Sequence, residues 1–180
     1  MSEVEPARRM EAMTSTELLV DAFERIRDAV HPAVNGLSRD ELAFRPEDNS
    51  NSIAWLVWHL TRIQDDHVAG LDGREQVWTA NGWADRFALS LEVSDTGYGH
   101  GPEHVAMVTA EDLSLLGYFE DVHDKTLEYV RTLADEDLSR VVDRTWDPPV
   151  TVRVRLMSVI ADDLQHAGQA AYVRGILQQR

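Results

Sequence analysis

Asp162 and His166 stand four residues apart in Ile160 to Gly175, IADDLQHAGQAAYVRG, and that spacing is the first chemistry the chain offers. On an α-helix, positions i and i+4 share a face about one turn apart, so this carboxylate and this imidazole can aim at one point. Between its ends only Gly168 weakens a helix, at a cost of about 1 kcal/mol relative to alanine. A third candidate, His59, lies far upstream beside Trp55 and Trp58. Two imidazoles and a carboxylate suit a borderline divalent ion such as zinc, nickel or iron, and three protein donors leave coordination positions for water or substrate. The competing reading is structural: His59 buried among tryptophans and leucines, with Asp162 and His166 as a surface pair. D-x-x-x-H arises easily by accident, so the residues alone leave both readings open.

The elements that must position these groups follow from apolar periodicity. Thr14 and Glu17 fit a capping box, and Leu18, Leu19, Ala22, Phe23, Ile26, Ala29 and Val30 recur at helical spacing, which predicts a first helix from Thr14 to Asn35. Pro32 should kink or shorten its last turn, and Gly36 should stop it. Ser38 and Glu41 repeat the capping pattern ahead of a turn through Pro46. A second helix, capped by Ser50 or Asn51 and ending near Leu71 to Gly73, places Ile53, Leu56, Val57, Leu60 and Ile63 on one stripe and carries His59.

From Arg74 to Glu103 the pattern dissolves, and a connection of that length is usually functional; Trp78, Trp83, Phe87 and Tyr98 are expected to pack it across the bundle and wall a pocket. The third helix starts at Pro102 or at a Thr109 to Asp112 cap, with Leu113, Leu116, Phe119, Val122, Leu127, Val130 and Leu133 as its core stripe. Its sequel LADEDLSR resembles LSRDELAF after the first helix, a weak internal repeat. Val152, Val154 and Leu156 alternate as in a brief extended segment before a fourth helix near Arg155. Four amphipathic helices without a sustained strand pattern read as an all-α four-helix bundle, one domain over residues 14–180 behind a tail of residues 1–13.

Composition narrows the function. At 180 residues and 43% hydrophobic, the chain can build one substantial core. Thirty-two acids against 17 bases give a formal charge of -15, and no basic run offsets it, so neither nucleic acid nor an acidic membrane surface is an expected partner. The absence of cysteine excludes disulfides, thiolate ligands and a protein-borne thiol nucleophile, so any sulfur chemistry uses a thiol from outside. MSEVEPARRMEAM has no apolar run, and the expected location is cytoplasmic.

The segments SIAWLVWHLTRIQDDHV, EQVWTANGWADRFAL, TGYGHGPEHV and SVIADDLQHAGQAAYVRG resemble the DinB-like superfamily. They come close to a group of formerly unassigned domains and to the metal-binding domain of mycothiol-dependent maleylpyruvate isomerase. The similarity runs from about Ser15 to Leu177 and is most specific in W-H-L and D-x-x-x-H-x-G-Q-x-x-Y-x-R-G. It implies a four-helix bundle, often a homodimer, with His59, Asp162 and His166 as metal ligands. Many members have histidine where Asp162 stands, and some thiol-dependent ones have the longer glutamate.

The resemblance also implies a low-molecular-weight thiol such as mycothiol or bacillithiol as co-substrate, acting as S-transferase or isomerase on a small electrophile. A divalent ion, zinc first, lowers the pKa of a coordinated thiol, and the thiolate is the reactive form. Gln169 and Asp66 are candidates to orient ligands or bound water, and Arg174 to meet a carboxylate of thiol or substrate, although its place near a helix end serves the dipole equally well. Alternatives are a hydrolase that activates water at the same three residues, or a non-enzymatic, stress-related metal-binding bundle. His100, Gly101, Pro102, Glu103 and His104 spell the inverted zinc-peptidase signature, but glycine and proline between the histidines suggest a turn instead of the helix that chemistry needs. His31, His67 and His123 lack ligand spacing.

Overall fold

The computed structural model describes residues 13–179; of the expected tail, residues 1–12 lie outside the described residues. Helix α1 (Ser15–Val34) opens on the expected capping box, with the Thr14 hydroxyl accepting from the Glu17 amide at 3.1 Å and the Glu17 carboxylate accepting from the Thr14 amide at 2.8 Å. Pro32 sits inside its last turn, and Gly36 follows with φ 77°, a left-handed conformation that glycine adopts without strain. The second capping box starts α2 (Arg39–Leu42).

Helix α3 (Ile53–Asp72) is capped by Ser52, one or two residues later than the sequence suggested; the Ser52 hydroxyl accepts from the Trp55 amide at 3.1 Å. It ends on Gly73 with φ 73°. The long connection holds three short helices, α4 (Val77–Ala80), α5 (Trp83–Phe87) and α6 (Pro102–Met107). Trp78, Trp83 and Phe87 are buried as expected, whereas Tyr98 is 90% exposed and takes no part in the packing.

Helix α7 (Asp112–Val130) has Glu111 at its N-cap, and Thr109 instead accepts from Arg39 Nη2 at 2.7 Å. Leu113, expected in the core, is 79% exposed; Leu115 takes the inward position. A 3-10 turn (Asp137–Ser139) leads into an antiparallel hairpin, β1 (Val141–Asp143) with β2 (Val150–Thr151), and α8 (Val152–Leu177) starts directly after it. Val152, Val154 and Leu156 are therefore helical and not extended, because the strand pairing ends at Thr151.

Four long helices form the bundle, with α1 and α3 each packed against both α7 and α8. Helix α3 is buried on nearly every side, from Ile53 through Asp65 to Ala69, since α7 and α8 cover its inner faces and the long connection covers the outer one. Asp65 anchors that covering: its carboxylate accepts from the amides of Val77 at 2.9 Å and Trp78 at 2.8 Å and from the Tyr118 hydroxyl at 3.0 Å. These bonds replace the hydration that a fully buried carboxylate loses. No helix among the described residues is long and apolar enough to cross a membrane.

Candidate metal centre

His59 projects from the second turn of α3, its ring stacked on Trp55 one turn earlier with centroids 4.6 Å apart and planes 12° from parallel. Its Nδ1 lies 2.5 Å from the Thr96 carbonyl in the long connection. A carbonyl only accepts, so Nδ1 carries the proton and the Nε2 lone pair is left for a ligand. The backbone comes close enough to do this because residue 97 is glycine: a Cβ there would stand 2.6 Å from His59 Nδ1, and its φ is 89°.

Asp162 and His166 project from one face of α8, as their spacing requires, with His166 Nε2 3.5 Å from Asp162 Oδ1. His166 Nδ1 lies 2.9 Å from Gln169 Oε1, one turn further on. With the amide oxygen as acceptor, this ring too is protonated on Nδ1 and turns Nε2 toward the other residues. The His59 and His166 rings meet edge to face, 4.9 Å between centroids and 76° between planes. One donor atom from each of His59, Asp162 and His166 lies within 4.8 Å of the others.

The electrostatics suit a cation. Burial lowers the pKa of His59 and so favours the neutral, ligating ring. Burial is the largest single influence on Asp162 and on His166 and opposes charge on both, but their mutual contact, joined by Gln169 for the histidine and by His59 and His67 for the acid, outweighs it, lowering the pKa of the acid and raising that of the histidine. Asp162 Oδ2 is buried without a hydrogen-bond partner. Two imidazoles tethered at Nδ1 and a carboxylate with an unsatisfied oxygen fit a divalent ion of borderline softness. The neighbouring Asp163 is fully buried with neither oxygen bonded, and burial holds its carboxyl well above the usual range.

The other candidates fall elsewhere. Asp66 accepts from Gln76 Nε2 at 2.7 Å and pairs with His67 at 3.4 Å, while the acceptor on His59 is Thr96. Arg174 donates to the Asn35 carbonyl at 2.9 Å and so ties the end of α8 to the end of α1. His100 precedes α6 and His104 lies within it, so the peptidase signature does not fall on one helix. His31 pairs with Glu120, and buried His123 stacks on Phe119 with Glu24 3.6 Å away. Thr96 and Gly97 escaped the sequence reading; a backbone acceptor has no residue signature, and the glycine-rich TGYGH run was the one available signal.

Bundle and His/Asp/His cluster together define a DinB-like four-helix-bundle protein. The chain belongs to the mycothiol S-transferase family, whose sequence pattern matches residues 18–179. A conserved protein from Enterococcus faecalis with a solved structure is similar at 32% identity and TM-score 0.86, over 94% of this chain and 100% of that one. YfiT from Bacillus subtilis, described as a probable metal-dependent hydrolase with an unusual four-helix bundle topology, shares the fold at 16% identity and TM-score 0.60, over 96% of this chain and 93% of that one. No functionally curated protein matches the chain.

Proposed function

We propose that the protein is a metal-dependent enzyme that joins a low-molecular-weight thiol, of the mycothiol or bacillithiol kind, to a small electrophile, or isomerises an alkene by adding and releasing that thiol. His59, Asp162 and His166 would hold the divalent ion, with zinc the first choice. The observation that carries this reading is the tethering of both imidazoles through Nδ1, which leaves their Nε2 lone pairs free in a cluster where one donor atom from each of His59, Asp162 and His166 lies within 4.8 Å of the others. When bound, the ion supplies Lewis acidity that lowers the pKa of an incoming thiol.

The chain's own residues do the rest. Asp162 contributes the negative charge that neutral imidazoles cannot, Gln169 holds the His166 ring, and the Trp55 face shields one side of His59 from water. The chain has no cysteine, so the sulfur nucleophile comes from the co-substrate. In the transfer, a sulfur–carbon bond forms, the thiol proton is lost to solvent or base, and the electrophile's leaving group departs with its electron pair.

The test is turnover of a chromogenic electrophile by zinc-loaded protein, with and without added thiol. Rate that depends on thiol and disappears in His166→Ala supports the reading. Turnover without thiol, giving the water adduct, favours the hydrolase alternative, toward which the description of YfiT points.

A further inference from the structure

The long connection does more than cover α3. Asp95, Thr96 and Gly97 form a short strap over His59, and the strap is fastened from several sides. Arg62 Nε, fully buried on α3, donates to the Asp95 carbonyl at 3.0 Å. The Asp95 carboxylate accepts from the Gly97 amide at 2.8 Å and lies 2.9 Å from His100 Nε2. His100 Nδ1 accepts from the Trp55 indole N–H at 3.1 Å. Since Nδ1 accepts, His100 donates to Asp95 from Nε2, and both ring nitrogens are used.

These contacts close on themselves. They leave α3 at Trp55, pass through His100 and Asp95 to the Thr96 carbonyl, and return to α3 at His59, one helical turn from the start. The Trp55 ring, fixed by His100 at its N–H, is the same ring that stacks on His59. His59 is thus held on one face by Trp55 and at Nδ1 by Thr96, and His100 bonds to the supports of both.

We infer that His100 and Asp95 are positioning residues for His59, and that this closed circuit decides which of its ring nitrogens faces the cation cluster. A Thr96 carbonyl free to drift would let the ring flip or change tautomer, placing a proton where the lone pair must be. Gly97 belongs to the device because no residue with a Cβ can let the strap approach His59 Nδ1 at this distance. The effect on affinity rests on the cation reading above. The orientation of the ring does not.

The experiment therefore has two readouts on wild type, His100→Ala, His100→Gln and Gly97→Ala. The first is the tautomer of His59 in metal-free protein, from long-range nitrogen–proton NMR correlations of the imidazole. The second is zinc affinity by competition with a chromophoric chelator. Wild type should show His59 protonated at Nδ1. His100→Ala and Gly97→Ala should lose that single tautomer and bind zinc about 10- to 100-fold more weakly. His100→Gln, which can still donate to Asp95, should recover part of both. Retention of the Nδ1–H tautomer in folded His100→Ala would overturn the inference. A tautomer that shifts in a protein that binds no zinc even as wild type would leave the positioning role standing and remove the metal reading.

Discussion

His166 meets His59 edge to face across the α3–α8 interface, and the two rings are tethered by unlike partners: a side-chain amide of the same helix for His166, a backbone carbonyl of a distant loop for His59. The difference means that only the His166 tether can be removed by a side-chain substitution, so the tether can be tested apart from the ring. His59→Ala and His166→Ala should each abolish stoichiometric zinc in purified protein, whereas Gln169→Ala should keep it at an affinity reduced roughly tenfold. Elemental analysis with chelator titration checks this, and full zinc occupancy in either histidine variant would remove that residue from the ligand set.

Asp65 carries the attachment of the long connection. Replacing it with alanine strands the Val77 and Trp78 amides and leaves Arg62 without the carboxylate 3.9 Å away. Breaking buried charge contacts of this kind costs about 3–5 kcal/mol. For a chain of this length that is a fall in Tm of roughly 6–20 °C, measurable by calorimetry. A change of a degree or less would show that the connection is held by its aromatic packing alone.

Two helical glycines should respond with opposite signs. A Cβ at Gly168 on α8 meets nothing within 4 Å, so Gly168→Ala should raise stability by about 0.5–1 kcal/mol. A Cβ at Gly117 on α7 would stand 2.6 Å from the Trp83 ring, which is pinned at Nε1 by Asp121 at 2.8 Å. Gly117→Ala should therefore destabilise by about 1–3 kcal/mol despite its better helix propensity. Urea midpoints of the two variants decide it.

His123 makes stability depend on pH. Burial lowers its pKa below the ordinary histidine value of about 6.5; the nearby acids Glu24, Glu120 and Asp124 oppose that effect, and Arg27 reinforces it. As pH falls through 6.5 the unfolded chain takes up a proton that the folded chain refuses. Stability is therefore lost, and the loss stops growing once pH passes below the folded value. His123→Phe should narrow the difference in urea midpoint between pH 7.5 and pH 5.5, and an unchanged difference would refute the assignment.

Much of the architecture was legible because it depends on local rules. The Thr14 and Ser38 capping boxes and the Gly73 stop appear where residue types put them, since each is settled within one helical turn. Leu113 misled because an apolar residue at helical spacing carries no label for the face that will be covered, and here the covered neighbour is Leu115. The alternation at Val152, Val154 and Leu156 misled for a related reason: a short apolar run has no decisive period, and the hairpin's end at Thr151 chose the helix.

What the sequence by itself determined is the pairing of Asp162 with His166, because one helical turn is a fixed distance, and the exclusion of a protein-borne thiol, because no cysteine is encoded. Only the tertiary structure decided that His59 joins them and that Thr96 and Gly97 settle which nitrogen it offers. Those contacts join residues far apart in the chain, and one is made by a backbone carbonyl that every residue possesses. Packing selected it, and packing is not written at any single position.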